Sequence, residues 1–87
     1  MNTATELRTL DAIARDALAC ESLKGQTRFY AEGYLVPLTS LTSINDMYVT
    51  ETARDIVNRA LNELSSWRGE DARRIKLELN AHLKGAN

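Results

Sequence analysis

The clearest pattern in the chain is a stripe of apolar residues that recurs at helical intervals between Thr50 and Trp67. Charged and amide residues fill most of the positions between them, so a helix here has one apolar face that must be buried. The pattern predicts an amphipathic helix over 50–67, with Thr50 or Asn45 as alternative N-caps. The apolar positions are Ala53, Ile56, Val57, Ala60, Leu61, Leu64 and Trp67.

A second amphipathic pattern predicts a helix from Thr3 to Lys24. Thr3 and Glu6 have the spacing of a capping box, in which each side chain satisfies a free backbone amide. Gly25 follows Lys24 and suits the left-handed conformation that often ends a helix. The apolar positions of this helix are Leu7, Leu10, Ile13, Ala14, Ala17, Leu18 and Cys20.

A third helix is predicted to begin after Gly69 and to end near Lys84, with Gly85 just past its end. Glu70 and Asp71 place negative charge at its N-terminus, where the helix dipole favours it. Its apolar face holds Ala72, Ile75, Leu79 and Leu83. Together with the helix over 50–67 it forms an αα-hairpin, which the first helix is expected to cover.

Residues 26–50 carry no clear period. Thr27–Ala31 and Tyr34–Leu38 contain aromatic and branched residues and would suit a short hairpin. Alternatively, the first helix continues through Gly25 and ends at Gly33, because one interior glycine costs only about 1 kcal/mol.

Pro37 argues against a helix over the second half of this stretch. A proline disfavours helical backbone at the residue before it, here Val36, and fits only an edge strand or irregular chain. We therefore expect irregular or short extended structure from Tyr34 to Leu41.

These elements predict a mainly all-α fold with a single helical domain over 1–87: a small three-helix bundle with an irregular or short extended segment around 26–49. A chain of this size buries only about 60–65% of its unfolded surface, so its stability is marginal. Cys20 is the only cysteine and forms no internal disulfide, and with His82 it is too little for a zinc site. Oligomerisation is the remaining common way to stabilise a small domain, and we expect a homodimer.

Charge and hydropathy do not favour a polyanion or a membrane as the partner. Eleven basic and twelve acidic residues give a net charge of −1, which predicts neither a polyanion partner nor a membrane surface. No apolar stretch approaches the roughly 18–20 residues of a membrane span. The N-terminal residues lack the basic region of a secretory signal, and the free cysteine favours a reducing compartment, so we expect a cytoplasmic protein.

No pattern of catalytic residues is present. His82 is the only imidazole, and Cys20 lies on the buried side of its predicted helix, where a free cysteine usually acts as a small hydrophobe. Glycine-rich phosphate loops and the helical His and Glu motifs of metal enzymes are absent. We therefore expect a protein that is not an enzyme and that uses neither a cofactor nor a metal.

The stretch from Tyr34 to Val49 is the most informative for function, because Asp46 is its only charge. Connecting segments are normally polar, so this one either completes the core or forms an interface, whose centres are poor in charge. The interface hypothesis predicts a small protein-binding module of the adaptor, inhibitor or assembly-chaperone type. Its candidate partner-binding residues are Tyr34, Leu35, Val36, Leu38, Leu41, Met47 and Tyr48.

A nucleic-acid-binding accessory or regulatory protein is the alternative. Four basic residues cluster around the start of the third helix, and Trp67 beside them could stack on a base. Four carboxylates interleave with these cations and weaken the positive field that such binding needs. The candidate residues are Trp67, Arg68, Arg73, Arg74 and Lys76, and the carboxylates are Glu63, Glu70, Asp71 and Glu78.

Overall fold

A computed structural model describes residues 7–85, which form four helices and one short β-hairpin. The mainly helical fold is confirmed, whereas the prediction of three helices is wrong because residues 25–38 form a further one. The helices are α1 (Leu10–Ala19), α2 (Gly25–Leu38), α3 (Ala53–Glu63) and α4 (Glu70–Gly85). The antiparallel strands β1 (Met47–Tyr48) and β2 (Glu51–Thr52) lie immediately before α3.

Helix α2 overturns the alternative of a hairpin and the irregular or extended backbone expected over Tyr34–Leu38, whereas residues 39–41 lie beyond the helix and are irregular as expected. Ala31, Leu35 and Leu38 recur at helical intervals and are completely buried. Burying a leucine side chain contributes about 1.5–3 kcal/mol, so two leucines offset the roughly 3 kcal/mol that a proline inside a helix costs. Pro37 also lies in the last turn of α2, where few backbone hydrogen bonds follow it.

The alternative of one continuous helix through Gly25 is also wrong. Helix α1 ends at Ala19, because Cys20 has extended backbone, and residues 20–24 separate it from α2. Gly25 has the predicted left-handed conformation, with φ of +68°, but it begins α2 and does not end the first helix as predicted. The predicted capping residues of the first helix, Thr3 and Glu6, lie outside the described residues.

Arg28 holds the turn between α1 and α2. Its guanidinium donates to the carbonyl oxygen of Leu18 at 2.7 Å and to that of Leu23 at 3.0 Å. A third hydrogen bond joins it to the Glu32 carboxylate at 2.9 Å. One side chain therefore satisfies carbonyl groups that the end of α1 and the turn after it leave unpaired.

The central part of the predicted helix over 50–67 is confirmed as α3. Its N-cap is Thr52, whose hydroxyl accepts the backbone N–H of Asp55 at 3.2 Å, so neither Thr50 nor Asn45 is the cap. Leu64 and Trp67 lie beyond the end of α3, yet both are buried in the turn that follows.

The predicted C-terminal helix is confirmed as α4. Gly69 precedes it with φ of +112°, a conformation that favours glycine. Glu70 and Asp71 occupy the first turn, while His82 and Lys84 lie in the last turn. The predicted αα-hairpin of α3 and α4 is thus joined by residues 64–69.

The four helices surround one core. Helix α2 packs against α1 and α3, and α4 packs against the same two helices. Within residues 7–85 every buried side chain is apolar. None of the helices in this range has the length and apolar content needed to cross a bilayer.

Candidate interaction surfaces

The structure divides the seven candidate partner-binding residues between core and surface. Leu35 and Leu38 are completely buried, and Leu41 is 5% exposed, so all three belong to the core. Tyr34 is partly buried against it. Of the seven, only Val36, Met47 and Tyr48 are exposed and accessible to a partner.

The exposed face of α2 carries no charge. We call it the α2 stripe and define it as Gln26, Phe29, Tyr30, Gly33 and Val36, which follow one another at helical intervals and are all exposed. Phe29 is 71% exposed and Tyr30 is 51% exposed. Their rings meet edge to face with centroids 5.4 Å apart.

The charged residues of α2 lie beside this stripe and satisfy each other. Arg28 and Glu32 form an ion pair at 2.9 Å, and both are less exposed than the residues of the stripe. A partner that covers the stripe therefore need not desolvate an unpaired charge, which would be costly.

Sequence reasoning missed Phe29 and Tyr30 because it did not assign a helix to 25–38. The signal was present in the intervals between Gln26, Phe29, Gly33 and Val36, which coincide on one face only if the backbone is helical. Because 25–38 was not predicted to be a helix, these residues could not be recognised as one exposed face.

A second, smaller apolar surface lies on the β-hairpin. Met47, Tyr48 and Val49 are 55%, 38% and 83% exposed. Val49 also has φ of +57°, a left-handed conformation that is rare and strained for a β-branched residue. The strain and the exposure are both concentrated at the turn of the hairpin.

Asp46, the single charge of this stretch, organises the loop before the hairpin. Its carboxylate accepts the backbone N–H groups of Thr42 at 2.9 Å and of Ser43 at 3.0 Å. These hydrogen bonds hold the pKa of the Asp46 carboxyl below its usual value, because they stabilise its charged form. The charge therefore has a structural role, and the rest of the stretch from Tyr34 to Val49 is uncharged.

Two of the five candidate nucleic-acid-binding residues are engaged elsewhere. Trp67 is only 4% exposed, and its indole N–H donates to the Ser22 hydroxyl at 3.0 Å, so its ring cannot stack on a base. Arg74 binds Asp16 at 2.7 Å and Asp71 at 2.9 Å.

The other three candidates, Arg68, Arg73 and Lys76, line one open groove along α4. The groove has a volume of about 740 Å³, and Ala72 and Ala81 also line it. Within residues 7–85 it has no carboxylate in its lining. We call it the α4 groove and define it by Arg68, Arg73, Lys76, Leu77, Asn80 and Lys84.

The carboxylates that interleave with these cations in the sequence are partly used on another face of α4. Glu78 accepts two hydrogen bonds from Arg8, at 2.6 and 2.8 Å, and Asp71 binds Arg74. Asp16 of α1 binds both arginines, and the hydrogen bond from Arg74 is the main reason why its pKa lies below the usual value. Opposite charges are thus paired where α4 meets α1 and the N-terminal segment.

The positive charge of the α4 groove is reflected in Lys76. Burial lowers the pKa of its amine, and the nearby charge of Arg68 lowers it further. The charge of Arg68 opposes a second positive charge at this place, and an anion in the groove would offset that repulsion without lessening the burial of the amine.

Cys20 and His82 each form a hydrogen bond with a different residue and not with each other. The Cys20 thiol lies 3.9 Å from an Asp16 oxygen, and burial raises its pKa, so it is protonated and weakly nucleophilic. His82 Nε2 lies 2.6 Å from the carbonyl oxygen of Arg8 and holds the N-terminal segment against α4. Among residues 7–85 no group of three His, Cys, Asp or Glu side chains is placed to bind a metal ion.

Comparisons of this chain with protein-family models, curated protein sequences and solved structures found no match. What indicates a function is therefore the character of the surfaces themselves. One is an uncharged aromatic stripe on α2, and the other is a cationic groove on α4.

Proposed function

We propose that this chain is a cytoplasmic, non-enzymatic protein-binding module of the adaptor, inhibitor or assembly-chaperone type, and that it acts as a homodimer. The observation that carries the proposal is the α2 stripe, in which two exposed aromatic rings lie on a face without charge. Interface centres are enriched in aromatic residues and depleted of charge, whereas ordinary exposed helix faces are charged.

The exposed area is of the right order for the centre of an interface. At about 150–250 Å² for each aromatic side chain, the exposed fractions of Phe29 and Tyr30 correspond to roughly 200–300 Å². A standard interface buries about 800 Å² on each partner, and its rim is polar. The two rings therefore supply about a third of such an interface, with Val36 and the polar ends of the stripe around them.

A second copy of the same chain fits the stripe well. In a two-fold dimer the same patch meets itself, and a patch without charge does so without like-charge repulsion. Phe29 and Val36 lie on opposite sides of Gly33, so an antiparallel crossing of two α2 helices would place Phe29 of one copy against Val36 of the other. A Cβ atom at Gly33 would meet nothing within 4 Å, so the centre of the stripe is open to a close approach.

The test is the molar mass in solution of a double variant, Phe29→Glu with Val36→Glu. Glutamate is a good helix former and both positions are exposed, so we expect α2 to remain folded. The wild type should have twice the 9.7 kDa mass of one chain when analysed by light scattering over a concentration series. The variant should have the mass of a monomer and an unchanged helical circular-dichroism spectrum.

Leu77→Glu is the matched control, because Leu77 is 70% exposed on a different helix. It should leave the mass of the wild type unchanged. A wild type that is monomeric at every concentration would overturn the homodimer, and a double variant that remains dimeric would show that the α2 stripe is not the interface.

The alternative function, nucleic-acid binding through the Arg68–Lys76 region, is favoured by one observation. Within residues 7–85 the cations of the α4 groove have no carboxylate beside them in its lining. Binding of this kind should weaken steeply as salt rises above about 50 mM, because phosphate contacts release counterions. The burial of Trp67 counts against it, since single-stranded nucleic acids are usually held by stacking on aromatic rings.

A further inference from the structure

Within residues 7–85 the cations of the α4 groove differ from five arginines of the protein in forming no ion pair with a carboxylate. Five arginines pair with carboxylates of the same chain, whereas the side chains of Arg68 and Arg73, like those of Lys76 and Lys84, make no ion pair within residues 7–85. The five paired arginines are Arg8, Arg15, Arg28, Arg59 and Arg74. The charge of the groove is therefore available to an anionic ligand.

The groove also has an apolar component that a phosphate backbone would not use. Leu77 is 70% exposed between Arg73 and Lys84, and the methyl groups of Ala72 and Ala81 lie in the same lining. Exposed leucine beside unpaired cations is complementary to a ligand that carries carboxylates and apolar side chains together. An amphipathic helix rich in glutamate has this composition.

The dimensions agree with a short helical segment. Arg73 and Lys84 are eleven residues apart on α4, which corresponds to about 16 Å along the axis at 1.5 Å per residue. A ligand helix of about three turns would span this distance and bring carboxylates near several of the cations. Its apolar face would then cover Leu77.

Nucleic acid fits the groove less well. Its lining contains only one aromatic residue, Trp67, and that ring is 4% exposed and hydrogen-bonded to Ser22. Glu70 and Asp71 adjoin Arg73 in a neighbouring depression, so carboxylates border the cations on that side of α4. The whole chain has a net charge of −1, without the basic excess typical of nucleic-acid-binding domains.

We propose that the α4 groove binds an acidic amphipathic helix of a partner protein, with Arg73, Lys76 and Lys84 pairing with its carboxylates and Leu77 packing against its apolar face. This goes beyond the homodimer, because the groove lies on α4 and the proposed dimer interface on α2. A dimer formed through α2 would display two such grooves.

The test uses a fluorescent peptide with Leu and Glu at helical spacing, titrated with the protein and followed by anisotropy. The double variant Arg73→Gln with Lys76→Gln should weaken the dissociation constant by about tenfold or more, since it removes two charge-assisted contacts. Leu77→Ser should weaken it by about fivefold, because it removes apolar contact. Lys24→Gln with Arg59→Gln, which removes two cations elsewhere on the surface, should change it less than twofold.

A thymidine oligonucleotide of the same charge, and an acidic peptide with serine in place of leucine, complete the design. The proposal expects both probes to bind more weakly than the amphipathic peptide. The oligonucleotide could instead bind more tightly than the amphipathic peptide. If the variant of Arg73 and Lys76 then lost this binding and Leu77→Ser kept it, the groove would be a nucleic-acid-binding site and the proposal would be wrong. No peptide binding, or equal binding by the groove variant and its control, would overturn it.

A nuclear magnetic resonance titration of the wild type gives a second measurement that needs no variant. Peptide binding should shift backbone amide signals along Arg68–Lys84 and leave those of Gln26–Val36 unchanged. Shifts centred on Gln26–Val36 would place the ligand on the α2 stripe and refute the proposal for the groove. This result does not depend on whether the protein is a dimer, because a monomer with an intact α4 groove should bind the peptide as well as a dimer does.

Discussion

Leu35 and Val36 are neighbours in the chain but point away from α2 in directions about 100° apart, so replacing each by alanine tests the orientation of this helix directly. Leu35 is completely buried, whereas Val36 is 53% exposed. The same pair decides whether the α2 stripe faces solvent. If α2 were rotated, Val36 would belong to the core and the proposed interface would disappear.

The two substitutions should differ strongly in their effect on the free energy of unfolding. Leu35→Ala removes a buried side chain and leaves a cavity, which costs about 2–5 kcal/mol. A chain of this length has a total stability of roughly 4–13 kcal/mol, so the loss is a large part of it. Val36→Ala should change the stability by less than about 0.5 kcal/mol, because alanine favours a helix more than valine and little buried contact is lost.

Urea unfolding followed by far-ultraviolet circular dichroism measures both effects. With an m-value of about 1–2 kcal/mol/M, Leu35→Ala should lower the urea midpoint by at least about 1 M. The experiment belongs at low protein concentration, where self-association does not contribute to the stability. Equal shifts for the two variants, or a larger shift for Val36→Ala, would refute the orientation of α2 and with it the α2 stripe.

Two further predictions concern the residues that hold α3 and the loop before it. Thr52→Ala should cost about 1 kcal/mol in urea unfolding because the N-cap of α3 is lost, while Thr50→Ala should be close to neutral. Asp46 has a lowered pKa in the folded protein, so its contribution to stability is complete above the ordinary aspartate pKa of about 3.9 and is lost as the pH falls through the lower folded value. Asp46→Asn should therefore reduce the loss of stability on acidification, and an unchanged acid profile would show that its hydrogen bonds to Thr42 and Ser43 do not stabilise the loop.

The parts of the fold that followed from the sequence were those with a long apolar period. Helices α3 and α4 each repeat apolar residues over several turns, and such a repeat is buried in the same way in almost any helical context. Helix α2 shows no such repeat, because Phe29, Tyr30 and Val36 are apolar residues on its exposed face. With apolar residues on both faces the period was hidden, and Pro37 then favoured the wrong backbone.

The candidate surfaces were predictable only in part, for a related reason. Tyr34–Val49 was singled out for its lack of charge, but composition does not distinguish a leucine that completes the core, such as Leu38, from an exposed residue such as Met47. Three of the four cations of the basic cluster line one groove, but the sequence placed the carboxylates among the cations and did not separate Arg74 from the others. Which charges neutralise each other depends on which helix each side chain faces.

From the sequence alone follow the mainly helical fold, the helices α3 and α4 and the absence of recognisable catalytic motifs, because these depend on residue types and on intervals within one segment. The tertiary structure decided the path of residues 25–38, the exposed face of α2 and the separation of charge around α4. Arg8 and Glu78, for example, are 70 residues apart in the chain and form an ion pair at 2.6 Å. Contacts of this kind arise from the packing of distant segments, and no local pattern encodes them.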